Sequence, residues 1–259
     1  MRMPITPDNP YGHDRHGYAW QQVPSASRAH LDFGCGRGGF LDALSGKRVE
    51  RRIGADVSRK IIEKARQKYP ELEFVHLSKG GVLPFDDKVF SSVSLLDVIE
   101  HIAEQEDVLK ECKRVMADDG ILIVTVPGKH FFSFLDMGNF KFYFPRLHRW
   151  YFCRRHSRSE YEYRYVSNPD GLVGDVSIEK GIHEHFTQRK LKALLEKAGF
   201  QVMEFDGTGY FSRPLGLLVR LFGRVAPAQT WLRNVMQADA RRFASMNLFC
   251  TARPWKGHL

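Results

Sequence analysis

An acid followed by a glycine-rich turn is the feature of this sequence with the clearest chemistry. The stretch AHLDFGCGRGGF, residues 29–40, runs from an apolar segment through four glycines into a helical pattern. Gly34, Gly36 and Gly39 form G-x-G-x-x-G, which is typical of turns that hold the pyrophosphate of a dinucleotide. The tighter pattern G-x-G-x-G has Gly38 as its third glycine instead. The glycine spacing by itself leaves both interpretations open.

Asp32, two residues before the first glycine, bears on which ligand the turn holds. A carboxylate at that position repels a pyrophosphate bound at the start of the following helix. It attracts a ligand that carries an ammonium and a sulfonium group, and S-adenosyl-L-methionine is such a ligand. Asp56, about twenty residues beyond Gly36, can accept hydrogen bonds from ribose hydroxyls, but that spacing suits a nicotinamide dinucleotide equally well. Asp32 therefore favours S-adenosylmethionine, and Asp56 does not discriminate.

Strand-like runs and helical patterns alternate around these residues, which predicts an α/β fold. Ser58 and Thr187 are expected to cap the starts of two helices, and Gly199 is expected to end the second. Another helical pattern, from Glu104, is expected to end at Gly120. Strand, helix and strand at this spacing imply parallel pairing with right-handed crossovers. The predicted strands cover residues 29–33, 51–56, 72–77, 89–96, 120–127, 200–205 and 246–252.

Composition and charge exclude several classes of protein. The chain has 259 residues, of which 43% are hydrophobic and 27% charged, so it can bury a large core and wholesale disorder is not expected. Its net charge of +9 favours anionic partners such as phosphate esters, nucleic acid or an acidic membrane surface. We find neither a signal-peptide pattern nor an apolar run of spanning length, and expect a cytoplasmic protein. The cysteines show no C-x-x-C spacing, which indicates neither a zinc site nor a disulfide framework. They are Cys35, Cys112, Cys153 and Cys250.

Four stretches in order resemble the class I S-adenosylmethionine-dependent methyltransferases, in the broad group that includes the ubiquinone and menaquinone biosynthesis enzymes. LDFGCGRGGF resembles motif I of that family. Residues 83–102, LPFDDKVFSSVSLLDVIEHI, resemble the stretch around its fourth strand. Residues 108–127 resemble the next helix and the fifth strand, and residues 183–202 resemble a later helix and strand. The glycine motif alone is weak, whereas the ordered set is specific.

The resemblance implies a Rossmann-like, seven-stranded and mostly parallel sheet. Its strand order would be 3-2-1-4-5-7-6 with strand 7 antiparallel, helices on both faces, and a cap inserted after strand 5. The cofactor would lie across the carboxyl ends of strands 1 and 4. We expect an N-terminal segment (1–28), a methyltransferase domain (29–127 and 183–259), and an aromatic and basic cap over the acceptor pocket (128–182).

The resemblance also assigns cofactor-binding residues to the turn, the second strand and the loop after the fourth strand. Many relatives have Asp-Ala before the Leu-Pro-Phe stretch, where this chain has Lys79-Gly80. Adenine recognition there is therefore assigned to the Gly80 backbone. The predicted cofactor-binding residues are Asp32, Gly34, Cys35, Gly36, Gly38, Asp56, Val57, Gly80, Asp97 and Val98.

Histidines near the predicted site are candidates for the chemistry itself. His101 can accept a proton from a substrate hydroxyl, or it can be a structural hydrogen bonder. We expect Asp97 to approach the methionine end of the cofactor, to cap the start of the following helix, or to do both. Asp97, Glu100 and His101 lie on one loop, and we predict no metal there. His183 and His185 precede the Thr187 helix, where they line the substrate mouth or a surface loop.

The predicted activity is methyl transfer to oxygen in a small or lipid-linked acceptor. Relatives that methylate amides or base amines often carry an Asn-Pro-Pro-Tyr type motif after strand 4, whereas this chain has Leu-Asp-Val-Ile at residues 96–99. An RNA or protein methyltransferase is the alternative, because the net charge is +9 and arginines cluster at residues 154–164. Nucleic acid is disfavoured, since no RNA-binding module is recognised. A non-catalytic binding module is a further, less favoured alternative.

Residues 213–228, RPLGLLVRLFGRVAPA, suggest contact with a membrane surface. Drawn as a helix, this stretch places Arg213, Arg220 and Arg224 on one side and apolar residues over much of the rest. Such a pattern suits an interfacial helix on anionic lipid. It also suits a helix that packs against the sheet or the cap, and Pro214, Gly216 and Gly223, which weaken helix propensity, favour that alternative.

Overall fold

A seven-stranded sheet forms the centre of the protein. The computed structural model describes residues 15–78, 82–130, 141–167, 184–211, 215, 218, 226–242 and 246–255. The strands are β1 (Ala29–Phe33), β2 (Arg51–Asp56), β3 (Glu73–His76), β4 (Phe90–Leu96), β5 (Met116–Pro127), β6 (Phe200–Gly207) and β7 (Asn247–Pro254). Their order is β3-β2-β1-β4-β5-β7-β6. β7 is antiparallel to both of its neighbours, and the other pairs are parallel. The predicted Rossmann-like order is confirmed.

Helices cover both faces of the sheet. They are α1 (Arg15–Gln22), α2 (Gly39–Ala43), α3 (Arg59–Lys68), α4 (Gln105–Val115), α5 (Pro145–Cys153), α6 (Arg158–Tyr161), α7 (Gln188–Lys197) and α8 (Ala226–Arg242). Leu109 of α4 and Leu191 of α7 share one buried cluster with Val124 of β5. Leu41 of α2 shares a second cluster with Ile123, the preceding residue of β5. Successive residues of a strand point to opposite faces, so each face has its own apolar layer.

The junction between α4 and β5 differs from the prediction. The helix was expected to end at Gly120, but α4 ends at Val115 and β5 begins at Met116, so that prediction is wrong. Met116 has extended dihedral angles, φ −90° and ψ 139°, and pairs with Phe90 of β4. A Cβ atom at Gly120 would lie 2.5 Å from Cγ of Met116. Gly120 therefore allows a close contact within an irregular strand and does not terminate a helix.

The predicted caps of α3 and α7 are confirmed. The hydroxyl of Ser58 accepts from the backbone N–H of Ile61 at 3.4 Å, and that of Thr187 accepts from Lys190 at 3.1 Å. Gly199 follows α7 with φ +83°, the left-handed conformation that favours glycine. The cap at Ser58 makes α3 begin directly after β2, at the carboxyl edge of the sheet.

Between β5 and α7, residues 141–167 contain α5, α6 and a π-helical turn over residues 162–167. We call residues 141–167 the inserted segment. Phe152, Tyr161 and Tyr165 form its own small buried cluster, and Nδ1 of His148 lies 3.3 Å from the Tyr161 hydroxyl. The predicted division into domains stays a prediction, because residues 131–140 and 168–183 of the expected cap lie outside the described residues. The same applies to most of the segment 213–228. Within the described ranges, no helix combines the length and apolarity needed to cross a membrane.

Candidate functional site

The glycine turn after β1 adopts the tighter of the two patterns. Gly34, Gly36 and Gly38 have φ values of +75°, +53° and +76°, which side chains disfavour. Gly39 lies outside that region and begins α2. The glycines that the backbone requires are therefore those of G-x-G-x-G, and the third glycine of the dinucleotide pattern is an ordinary helix residue.

The three glycines of the turn differ in what surrounds them. A Cβ atom at Gly34 would lie 2.4 Å from Cγ2 of Val98, and one at Gly38 would lie 2.6 Å from Cζ of Phe74. A Cβ atom at Gly36 would meet nothing within 4 Å among the described residues. The turn is thus packed against protein at both ends and open at its middle, where a ligand can approach the backbone.

Asp56 joins this turn to the start of α3. Its Oδ2 accepts from the backbone N–H of Gly36 at 3.1 Å, and its Oδ1 accepts from that of Ser58 at 2.9 Å. Burial raises the pKa of Asp56, whereas these backbone hydrogen bonds oppose that shift. The next residue, Val57, is half exposed beside the carboxylate. An acid and an apolar surface at this place suit a ribose and the base attached to it.

Asp32 is the first member of a buried polar chain that crosses from β1 to β4. Its carboxylate is 3% exposed and accepts from the hydroxyl of Ser94 at 2.7 Å. Nε2 of His30 lies 3.0 Å from the same hydroxyl oxygen, and Nδ1 of His30 lies 2.8 Å from the hydroxyl of Ser92. Because Ser94 donates its only proton to Asp32, Nε2 of His30 must donate and Nδ1 must accept.

Burial decides the charge of the two titratable members of this hydrogen-bonded chain, Asp32 and His30. It raises the pKa of Asp32 to about 7, although the Ser94 hydrogen bond and Arg15 oppose that rise. It lowers the pKa of His30 to about 3, with a further contribution from Lys47. The imidazole is therefore neutral at physiological pH, while the carboxylate titrates near neutrality and responds to any cation beside it.

The loop after β4 positions Asp97 above the end of β5. Asp97 has φ +53°, its N–H donates to the Thr125 hydroxyl at 3.0 Å, and that hydroxyl donates to Oδ1 of Asp97 at 2.7 Å. Oδ2 of Asp97 accepts from the guanidinium of Arg15. The 3₁₀ turn over residues 99–101 begins after Val98, without a side-chain cap. The alternative that Asp97 caps this turn is therefore wrong, because its carboxylate is committed to Thr125 and Arg15.

Arg15 was not singled out by the sequence. It lies in α1, and its guanidinium contacts Asp97 and lowers the pKa of Asp32 by its charge. A single arginine in a polar N-terminal stretch carries no signal of its own. The structure thus adds a cation to a site whose predicted charged groups were all acids, and a cation there suits a ligand carboxylate.

His101 lies at the end of the 3₁₀ turn, next to a buried acid. Its Nε2 is 3.9 Å from Oε1 of Glu100, whose side chain is fully buried, and the His101 side chain is 11% exposed. Nε2 of Gln105 donates to the backbone oxygen of Ile99 and to Oε2 of Glu184, both at 2.8 Å. These bonds tie the loop to the segment that precedes α7.

The remaining predicted residues have different outcomes. Gly80 and His183 lie outside the described residues. His185 precedes Phe186, whose N–H donates to the oxygen of Pro127 at 2.8 Å, so it lies at the carboxyl end of β5. Cys35 is buried, and burial raises the pKa of its thiol, which stays protonated.

Two further aromatic residues lie at this edge and were missed. The rings of His130, after β5, and Tyr210, after β6, form an edge-to-face pair with centroids 5.8 Å apart. His130 lies three residues after the predicted strand 120–127, and Tyr210 lies five residues after the predicted strand 200–205. This position after a strand is the signal that the sequence offered. Among the residues described, no three His, Cys, Asp or Glu side chains are grouped so that they could hold a metal ion.

Comparisons with known proteins point to one family. Residues 31–124 match the family model described as a methyltransferase domain. A "probable S-adenosylmethionine-dependent methyltransferase" of Mycolicibacterium smegmatis is 32% identical over 126 residues, 48% of this chain and 48% of that protein. A ubiquinone/menaquinone biosynthesis C-methyltransferase of Campylobacter jejuni is 26% identical over 191 residues, 69% of this chain and 73% of that protein.

Among solved structures, the cyclase SpnF matches with a TM-score of 0.56 and 16% identity, covering 93% of this chain and 81% of that one. This likeness concerns the fold alone, and a fold by itself does not decide a reaction. The chain spans about half the length of the first relative named above. The matched domain, the ordered motifs and the sheet order together make this chain similar to the class I S-adenosylmethionine-dependent methyltransferases, and this likeness implies S-adenosylmethionine as the cofactor.

Proposed function

We propose that this chain is a methyltransferase that acts on oxygen in a small or lipid-linked acceptor. The observation that carries the proposal is the buried carboxylate of Asp32 beside the open backbone at Gly36. When bound, S-adenosylmethionine supplies a methyl group activated by a positively charged sulfur. An acid at the end of β1 and a turn without side chains suit a cationic ligand that must approach the backbone closely.

Different residues around the turn would hold different portions of the cofactor. Asp32 and the loop with Asp97 and Val98 face the methionine portion, and Asp56 and Val57 face the ribose and adenine. Arg15, which contacts Asp97, is suited to the carboxylate of the methionine portion. Alignment of the acceptor with the methyl group then supplies most of the rate enhancement, since methyl transfer is an in-line displacement.

His101 is proposed as the base that takes the proton of the acceptor hydroxyl. It lies on the same loop as Asp97, and Glu100 beside it can stabilise a protonated imidazole. The hydrogen bonds of Gln105 hold this loop in place. His183 and His185 remain proposals for the acceptor mouth, and His130 and Tyr210 join them because they lie at the same edge of the sheet.

Product analysis with an isotopically labelled cofactor tests the proposal. We expect the label in an organic extract, on oxygen of hydroxylated apolar acceptors, and not in RNA or protein. Nuclear magnetic resonance of a ¹³C-labelled methyl group distinguishes an O-methyl from a C-methyl product. A C-methyl product would contradict the choice of oxygen, which matters because the Campylobacter relative is named a C-methyltransferase.

An RNA or protein acceptor is the second candidate. It is favoured by the composition of the inserted segment, which contains seven Lys and Arg residues and two acidic residues. Transfer of label to RNA that falls steeply with added salt would support this candidate in place of the first.

A further inference from the structure

We propose that α5 docks the protein on an anionic lipid surface. Leu147, Trp150 and Tyr151 of this helix are 49%, 56% and 46% exposed. At about 100° per residue, they fall within one sector of the helix that is about 100° wide. His148 and Phe152, on the other side, are buried against the inserted segment. The helix is thus held to the protein by one side and presents an apolar side to solvent.

Basic residues border this apolar side. Arg146 precedes Leu147 in α5, and the whole inserted segment is strongly basic. The guanidinium carbon of Arg154 lies 4.7 Å from the ring centroid of Trp150, and that of Arg155 lies 5.4 Å from that of Tyr151. Large apolar side chains flanked by arginines are typical of helices that lie between lipid head groups and acyl chains. Charge complementarity therefore points to anionic lipid.

The positive charge would also attract nucleic acid, but the arrangement of side chains favours lipid. A base stacks on the flat face of an aromatic ring. On Trp150 and Tyr151, one face is already covered by Arg154 or Arg155. Leu147 offers no ring at all, whereas its burial among acyl chains is favourable.

The inserted segment, which contains α5, contacts the edge of the sheet where the candidate site lies. In the inserted segment, the Tyr163 hydroxyl accepts from Nζ of Lys60 at 3.0 Å, in the first turn of α3. That turn begins beside Asp56. Docking through α5 would therefore hold at the lipid surface a segment that contacts the cofactor-binding edge. The inference goes beyond the proposed function, because lipid binding requires neither cofactor nor acceptor.

Sedimentation of the full chain with vesicles tests this inference. We expect binding to equimolar phosphatidylcholine and phosphatidylglycerol at low salt, weaker binding at high salt, and little binding to phosphatidylcholine alone. Leu147→Glu/Trp150→Glu should lower the partition coefficient at least about tenfold, and Trp150→Phe should retain it. Trp255→Glu is the matched control and should leave it unchanged. Trp255 is 60% exposed but follows β7, whose antiparallel direction places it at the opposite edge of the sheet.

Circular dichroism establishes that each variant is folded, and Arg154→Glu/Arg155→Glu repeats the test through charge alone. Absence of vesicle binding by the wild-type chain at low salt would overturn the proposal, and so would an equal loss in Trp255→Glu. Preference for single-stranded RNA over vesicles would assign the surface to nucleic acid and overturn it as well. A wild-type chain that binds vesicles but not S-adenosylmethionine would contradict the proposed function and leave the docking surface intact.

Discussion

Among single residues, Asp32 shows most clearly how burial and function compete. Its folded pKa of about 7 lies above the ordinary value of 3.8, so ionisation is disfavoured in the folded chain. The contribution of protonated Asp32 to the free energy of unfolding is present at low pH and is lost as pH rises from about 4 to about 7. The ionised carboxylate is nevertheless the form that a cationic cofactor prefers.

Asp32→Asn should therefore separate stability from binding. We expect the affinity for S-adenosylmethionine to fall about tenfold to a hundredfold, because a charge-assisted interaction is lost. The melting temperature of the free chain at pH 8 should not fall, since an ionised buried group is removed and the Ser94 hydroxyl can still donate to an amide oxygen. Calorimetric titration and thermal unfolding measure the two effects. The control is Asp118→Asn, which removes an exposed carboxylate paired with Lys88. An unchanged affinity in Asp32→Asn would contradict the charge role.

The same carboxylate predicts how cofactor binding depends on pH. Below about pH 7 Asp32 is protonated and offers no charge, so the affinity should fall by up to about tenfold per pH unit. Binding near pH 7 should release a proton, which appears as a heat that depends on the buffer. The wild-type chain is compared with Asp32→Asn, in which this dependence should be absent. An equal pH dependence in both would assign it to another group.

His101 gives the third prediction at this scale. His101→Ala should lower turnover by about 10² or more and leave cofactor affinity nearly unchanged, because a base is needed only in the reaction. Steady-state kinetics and calorimetry measure the two quantities on the same preparation. Full turnover in His101→Ala would reduce this residue to a structural role, and lost cofactor affinity would move it into the binding site.

At the scale of elements, the turn between β1 and α2 predicts a graded response to alanine. Gly34→Ala forces a left-handed φ on a side chain and a 2.4 Å contact with Val98, so it should destabilise most. Gly36→Ala has the strained φ, a cost of about 1–2 kcal/mol, without the contact, so it should weaken cofactor binding more than folding. Gly39→Ala should be tolerated, since it lies in a helix. Urea unfolding and calorimetry rank the three variants. Greater damage from Gly39→Ala than from Gly36→Ala would restore the dinucleotide interpretation.

At the scale of the whole molecule, contacts between distant segments influence the candidate site, and the contact between Arg15 and Asp97 is the clearest example. Arg15 brings α1 to the carboxyl edge of the sheet and lowers the pKa of Asp32. Arg15→Ala should therefore move the pH midpoint of cofactor binding upward, because the pKa of Asp32 rises when the neighbouring cation is lost. Arg15→Lys, which keeps the charge, should move it less. A midpoint that does not change in Arg15→Ala would show that α1 has no influence on the site.

The sequence by itself was sufficient for the seven strands, for the helices α2, α3, α4 and α7 between them, and for the residues of the glycine turn. Apolar periodicity and the caps at Ser58 and Thr187 are local, so they can be recognised without knowing the fold. The resemblance supplied the strand order, which periodicity does not contain. The boundary at Met116 was missed because the helix-like sequence around it is overridden by pairing with Phe90 across the sheet.

Only the tertiary structure decided which side chains meet. Asp32 and Ser94 are 62 positions apart and become neighbours because β1 and β4 pair in register at those two residues. Arg15 and Asp97 are 82 positions apart and meet because α1 packs near the end of β4. No local pattern specifies the register between strands or the place where a helix docks, since both result from burying the whole set of apolar faces together. The charge of the site depends on these contacts, so it follows from the fold and not from the motif.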